Sequence, residues 1–156
     1  MNEKAPGEEP ITVKVITQEA TEDDLGQLAR LNEIFNKVKE TPEQIRERLA
    51  RQDCGETPIV AEIDNQIVGF AGLRVVPMVF YEGAHAELTE LFVEERYRRR
   101  GVGEALVCFA EHLAQARGAE ELVLQTGREN RAARAFYSAM GYEEWHIVMG
   151  KTLGQR

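Results

Sequence analysis

Four arginines and two glycines crowd into the eight residues from Arg96 to Gly103, within the stretch RYRRRGVGEALV. An apolar run precedes them and a helical pattern follows. A helix that begins at Gly101 exposes unpaired backbone N–H groups and the positive end of its dipole. Glycines at 101 and 103 keep side chains off that backbone, and neighbouring arginines add charge and donor pairs suited to phosphate. Strand, arginine-rich turn and bare helix start together make a cradle for a pyrophosphate. Two other phosphate motifs compete. A dinucleotide fingerprint needs a third glycine at 106, where Leu106 stands, and an acid near Gln125 and Thr126. A nucleoside-triphosphate loop ending in Gly150–Thr152 needs a glycine where the chain has Trp145. A solvated turn whose glycines serve only chain reversal is the remaining alternative.

A second group with chemistry in reach is Glu90. In AELTELFV, strict alternation puts it on one face with Leu88 and Phe92, where an acid is conspicuous. It is a candidate general base, directly or through water; an electrostatic anchor or a solvated strand edge are the other readings. His85 is a distant second base, His112 reads as solvated and His146 as structural. No histidine, and neither Cys54 nor Cys108, has metal-ligand spacing or company, so no metal is expected. With 19 basic and 27 acidic residues, the net charge of −8 disfavours nucleic acid. The arginines therefore point to one local anion. An opening MNEKAPGEEP without an apolar core, no long apolar run and no disulfide framework lead us to expect a cytoplasmic protein with no membrane contact.

The positioning elements follow from periodicity and punctuation. Residues 1–10 are expected to be disordered and residues 11–156 to form a single domain. Ile11, Val13 and Val15 alternate as a first strand. TEDDLGQLARLNEIFNKV predicts a helix with Thr21 near its cap. TPEQIRERLARQ predicts a second helix, with Thr41 as N-cap, Pro42 at the first helical position and Gln44 completing a capping box. A hairpin is expected around Asp64-Asn65, then a strand from Ala86 to Val93. A helix follows from Val102 to a stop at Gly118, and then the strand ELVLQT. A short helix capped by Asn130 and closed by Gly141 precedes a last strand in YEEWHIVMGK. The order indicates an α/β (α+β) fold: a mixed, twisted central sheet of six to seven strands flanked by about four helices. The late β-α-β unit should be parallel and right-handed.

With those elements in place, YRRRGVGEALV resembles motif A of the GCN5-related N-acetyltransferases, the GNAT family, whose signature Arg/Gln-x-x-Gly-x-Gly/Ala is filled by Arg98, Gly101 and Gly103. A second family pattern is similar to NRAARAFYSAMGY, through Asn130, Ala133, Phe136, Tyr137, Gly141 and Tyr142. The resemblance implies acetyl-CoA as donor, with its pyrophosphate on Arg98, Arg99, Arg100, Gly101, Val102, Gly103 and Glu104. Arg99 and Arg100 would serve mainly through backbone donors. It implies that the pantetheine arm pairs with Leu91, Phe92 and Val93 as an added strand, and that Asn130 binds it from the opposite wall. An outward N–H on that strand would act as the oxyanion donor. Tyr137 matches the position of the family's acid, which protonates the departing thiolate and also touches the cofactor; a core aromatic on an apolar stripe is the plainer reading.

The resemblance further implies direct attack by a primary amine through a tetrahedral intermediate, and a homodimer. It places the acceptor pocket among residues 21–52 and 77–86. Acids at Glu33, Glu40, Glu43 and Glu47 would favour a cationic amine. The leading expectation is a small-molecule amine. A protein lysine or N-terminal amine, and an acyl-CoA-binding sensor without turnover, are the alternatives.

Overall fold

The computed structural model describes residues 14–80 and 82–154. It divides into a larger compact unit ending at Gln125 and a smaller one starting at Thr126. In the larger unit, five strands form one sheet in their chain order: β1 (Ile16–Glu19), β2 (Glu56–Ile63), β3 (Gln66–Pro77), β4 (Ala84–Val93) and β5 (Ala119–Leu124). The first four pair antiparallel in succession and β5 runs parallel to β4, as expected for a strand–helix–strand crossover. Helices α1 (Leu25–Asn36), α2 (Pro42–Leu49) and α3 (Val102–Ala116) belong to the same unit; α4 (Arg131–Ala139) lies in the smaller one.

Local chemistry explains most boundaries. The β2–β3 turn holds Asp64 and Asn65 at φ 49° and 62°, the left-handed pair that a two-residue hairpin demands and that these residue types tolerate. Gln44 N–H donates to Thr41 Oγ1 at 3.2 Å and Thr41 N–H donates to Gln44 Oε1 at 2.8 Å, so the expected capping box opens α2. Before α1, Thr21 and Asp24 form a similar reciprocal cap around a single 3-10 turn, so the α-helix proper begins later than the pattern suggests. Gly118, at φ +89°, stops α3 where no side chain is tolerated without strain.

Two expectations need revision or fall elsewhere. The sheet has five strands, not six to seven. The segment YEEWHIVMGK forms no strand: Ile147 and Met149 are 90% and 92% exposed, and the segment takes no place in the sheet. Alternation supplies a strand with faces but not with a neighbour, and an extended run without one has nowhere to place its backbone hydrogen bonds. Ile11, Val13 and residues 1–10 lie outside the described residues; Val15 precedes the first strand, which starts at Ile16.

The sheet is covered on both faces. On one, Leu25, Leu28 and Leu31 of α1 pack on Val60, Ile67, Phe70 and Phe92. Phe35 stacks on Phe92 with ring centroids 5.1 Å apart. On the other, α3 touches every strand and buries Val102, Leu106, Val107 and Ala110. Each large aliphatic buried in this way is worth roughly 1.5–3 kcal/mol. Gly69 lets α3 come close: a Cβ there would stand 2.8 Å from the Phe92 carbonyl oxygen and 3.2 Å from Leu106 Cδ1.

Candidate active site

β4 carries one irregularity that organises everything near it. Gly72 pairs with Glu90, but the next residue of β3, Leu73, pairs with Leu88, so Thr89 is an extra residue in the ladder. Adjacent residues of β3 face opposite ways and cross-strand partners share a face, so Glu90 and Leu88 lie on opposite faces. Leu88 turns into the buried side with Leu73. Glu90 and Phe92 turn toward α1 and α2. The simple alternation that grouped Leu88 with Glu90 is therefore corrected by one inserted residue.

The bulge coincides with a parting of strands. β5 pairs with β4 only from Ala84 to Leu88, whereas β4 continues paired to β3 as far as Gly69↔Val93. From Thr89 to Val93, the edge of β4 that faces away from β3 pairs with no strand among the described residues. This stretch contains Leu91, Phe92 and Val93. Arg98 partly closes its far end: Arg98 Nε donates to the Val93 carbonyl at 2.9 Å, and its guanidinium lies 6.0 Å from the Phe92 ring centroid.

Beyond that edge, the chain turns into α3. Arg99 at φ 61° and Gly101 at φ 79° are both left-handed, separated by Arg100. Such a turn gathers successive N–H groups toward one side. Gly101 has no side chain with which to cap the helix, and the first intrahelical bond runs from Ala105 N–H to Gly101 at 2.9 Å. The N–H groups of Val102, Gly103 and Glu104 are thus left as donors at the positive end of a 15-residue helix. The arginine side chains are largely committed elsewhere: Arg98 to β4, Arg96 to Glu94 at 2.8 Å, and Arg100 over the Tyr97 ring at 5.7 Å. The donors of this cradle are chiefly backbone. A diphosphate fits that donor set.

On the α1/α2 face lies a cleft of about 220 Å³. Its walls come from α1 and α2 (Leu28, Asn32, Asn36, Ile45, Arg48, Leu49), from the α1–α2 loop (Glu40), and from the sheet and the chain leading into it (Cys54, Glu56, Phe70, Gly72, Glu90). Residues 21–52 supply part of its lining and residues 77–86 none of it that is described. Of the four acids singled out in the sequence, only Glu40, in the loop between the helices, lines it, held by Arg48 at 2.9 Å.

Glu90 is half-buried, and that desolvation pushes its carboxyl above the ordinary glutamate range. A side-chain hydrogen bond from Asn36 opposes the rise, and the negative charge of Glu56 adds to it. A carboxylate shifted toward neutrality and open to a cleft has the properties of a general base. Asn36 and Glu56 were not picked out by motif or pattern. Asn36 is the last residue of α1, and its Nδ2 also donates to Asn32 Oδ1 at 2.9 Å. Glu56 opens β2 two residues before Pro58; only that parity signalled which face it takes.

In the smaller unit, α4 begins as expected: Asn130 Oδ1 accepts from Ala133 N–H at 3.1 Å. The Asn130 side chain is therefore a helix cap within its own segment. Tyr137 is half-buried, packed against Phe136 and Tyr142 at centroid distances of 5.1 Å and 5.6 Å. Burial pushes its phenol above the usual tyrosine value, so it remains a protonated donor throughout the neutral range. Gly141, at φ +92°, closes the helix. Among the described residues, no group of three His, Cys, Asp or Glu side chains is arranged to hold a metal, and no helix is long and apolar enough to cross a membrane.

A family model for the Acetyltransferase (GNAT) family matches residues 24–142. Among curated relatives, an uncharacterized N-acetyltransferase of Methanocaldococcus jannaschii, MJ1207, is 36% identical over 92 residues, covering 58% of this chain and 41% of the relative. Aminoglycoside N(6')-acetyltransferase type 1 of Klebsiella aerogenes is 39% identical over 83 residues, or 52% of this chain and 55% of that protein. The chain thus spans about half the length of these relatives, or less. Aminoglycoside N-acetyltransferase AAC(6')-Iy, solved in complex with CoA, superposes with a TM-score of 0.80 over 92% of this chain and 97% of that one; at 19% identity the likeness is one of fold. The matched region runs from the cap of α1, through the parted strand and the glycine turn, to the Gly141-Tyr142 pair, and on that ground the chain belongs to the acetyltransferase (GNAT) family.

Proposed function

We propose that the protein transfers an acetyl group from acetyl-CoA to a primary amine of a small molecule. The observation that carries this reading is the arrangement along β4. One strand presents a base candidate to the α1/α2 cleft, an unpartnered edge beside it, and a backbone-lined anion turn just beyond its end. Family membership and the CoA complex of the structural relative support the choice of donor.

In this reading acetyl-CoA supplies the activated thioester. The turn from Arg98 through Arg99, Arg100, Gly101, Val102 and Gly103 to Glu104 holds its pyrophosphate. The open edge at Leu91, Phe92 and Val93 takes the pantetheine amides by strand-like pairing. Outward N–H groups on that edge stabilise negative charge as the thioester carbonyl is attacked. Glu90 takes the proton from an amine that arrives as ammonium. Tyr137, assigned by its position in the second motif, gives a proton to the leaving thiolate; Asn130 is assigned to the pantetheine arm on the same basis. Attack is direct, without an acyl-enzyme. A cleft of about 220 Å³ favours a compact acceptor over a polypeptide segment. We further read the protein as cytoplasmic and homodimeric, the latter open to sedimentation analysis.

The test is release of free CoA thiol from acetyl-CoA in the presence of a panel of small amines, lysine peptides and no acceptor. Turnover with small amines supports the reading. Turnover with peptides alone moves the acceptor class to protein amines. Tight acetyl-CoA binding with no turnover on any acceptor makes the protein a sensor.

A further inference from the structure

The cleft beside Glu90 contains four charged side chains: Glu40, Arg48, Glu56 and Glu90. Two cancel, since Arg48 pairs with Glu40 at 2.9 Å. The cation opposite Glu56 in the sheet is also engaged: Arg74, its register partner, pairs with Glu87 at 3.3 Å. Among the described residues, Glu56 and Glu90 take part in no ion pair. The cleft is left with two carboxylates that repel one another and that no cation of the protein pairs with, Glu90 partly buried and Glu56 open to solvent.

Glu56 does not occupy this place by accident of a loose surface chain. It leaves β2 across Gly72 and accepts a hydrogen bond from the hydroxyl of Thr89, the bulged residue of β4. A Cβ on Gly72 would collide with Thr89 Oγ1 and fall 2.7 Å from Glu56 Oε1. The glycine, the bulge and the hydroxyl together hold the second carboxylate over the sheet beside the first.

A monoamine answers only one of these charges. It enters as ammonium, yields its proton to Glu90, and leaves the Glu56 charge unanswered during the reaction. We propose that Glu56 determines specificity by binding a second cationic nitrogen of the acceptor, so that the substrate class is a compact diamine. This inference rests on the acetyltransferase reading above. The volume bears on the size of that acceptor: about 220 Å³ is below the roughly 300–1,000 Å³ typical of sites for drug-sized ligands. The second ammonium keeps its charge from ground state to transition state, so its contact with Glu56 acts on KM more than on kcat.

The experiment uses the full chain, acetyl-CoA and two acceptors of matched length, diaminobutane and pentylamine, with thiol release as readout. Glu56 is exposed, so water screens its pairing with an ammonium, and the parent protein should prefer the diamine by about two- to fivefold in kcat/KM, chiefly through KM. Glu56→Gln should collapse that preference while acetyl-CoA affinity, measured by calorimetry, is retained. Glu56→Asp should restore part of the preference. Gly72→Ala, which pushes Glu56 and Thr89 apart without removing a charge, should collapse it as well. Turnover of both amines without preference in the parent, or an undiminished preference in Glu56→Gln, overturns the inference and leaves the acetyltransferase reading intact. No thiol release with either amine, or with any amine of a wider panel, overturns both.

Discussion

Asn36 offers the sharpest test of the base. Its amide donates to the Glu90 carboxylate and holds that group's pKa down against burial and against Glu56. Asn36→Ala removes the donor, so the carboxyl becomes harder to ionise and the acid limb of kcat/KM moves to higher pH. The size follows from the geometry. A hydrogen bond to a charged group is worth about 1.5–3 kcal/mol when enclosed. Asn36 is exposed and Glu90 only half-buried, so water replaces part of the loss and about 1 kcal/mol remains. On the acid side of the profile the variant should then run about fivefold below the parent, and above the limb the two should converge. No other group facing Glu90 reverses the sign: Arg48 stays with Glu40, and Glu56 raises the Glu90 pKa in parent and variant alike. The assay is the variant-to-parent ratio of kcat/KM across pH, at saturating acetyl-CoA and limiting amine. A ratio that rises with pH supports Glu90 as the base; a flat ratio, whatever its level, refutes it.

Tyr137→Phe should lower turnover by about 100-fold while leaving acetyl-CoA affinity nearly unchanged; equal turnover would remove the phenol from the chemistry. Gly101→Ala and Gly118→Ala each force a left-handed alanine into space where a Cβ meets nothing, so each should cost about 1–2 kcal/mol in denaturant unfolding. Only Gly101→Ala should also weaken CoA, and retention of full CoA affinity as Gly101 relaxes would argue against the turn as the diphosphate site. Thr41→Ala should cost about 1 kcal/mol by opening the capping box of α2, read as a drop in the urea midpoint without a change in slope.

The sequence made the short-range features legible. Thr41-Pro42-x-Gln44 writes a helix start in four residues, and Asp64-Asn65 writes a hairpin in two, because each rests on bonds or dihedrals inside the stretch itself. The anion turn is of the same kind: glycine placement and helix onset are local. Features that depend on a neighbouring strand were hidden. Nothing in LTEL announces that Thr89 has no opposite number, since the bulge arises in pairing with β3, across from Gly72. The open edge at Thr89–Val93 depends on where β5 stops, some thirty residues further on. Asn36 and Glu56, twenty residues apart and without a shared motif, meet Glu90 only when α1 and β2 come to the same face. The segment YEEWHIVMGK shows the converse, a strand-like pattern with no strand.

The sheet also acts as a partition. α3, whose first turn would grip the donor, is moored on one side across every strand, while the cleft that would take the acceptor lies on the other, between the strands and α1 and α2. A change of side chain at Glu56, Ile45 or Leu49 alters what the cleft accepts without passing through the layer that anchors the donor's helix. On the proposed reading, such a molecule would exchange one customer for another by drift on a single surface, its activated carrier remaining the same throughout.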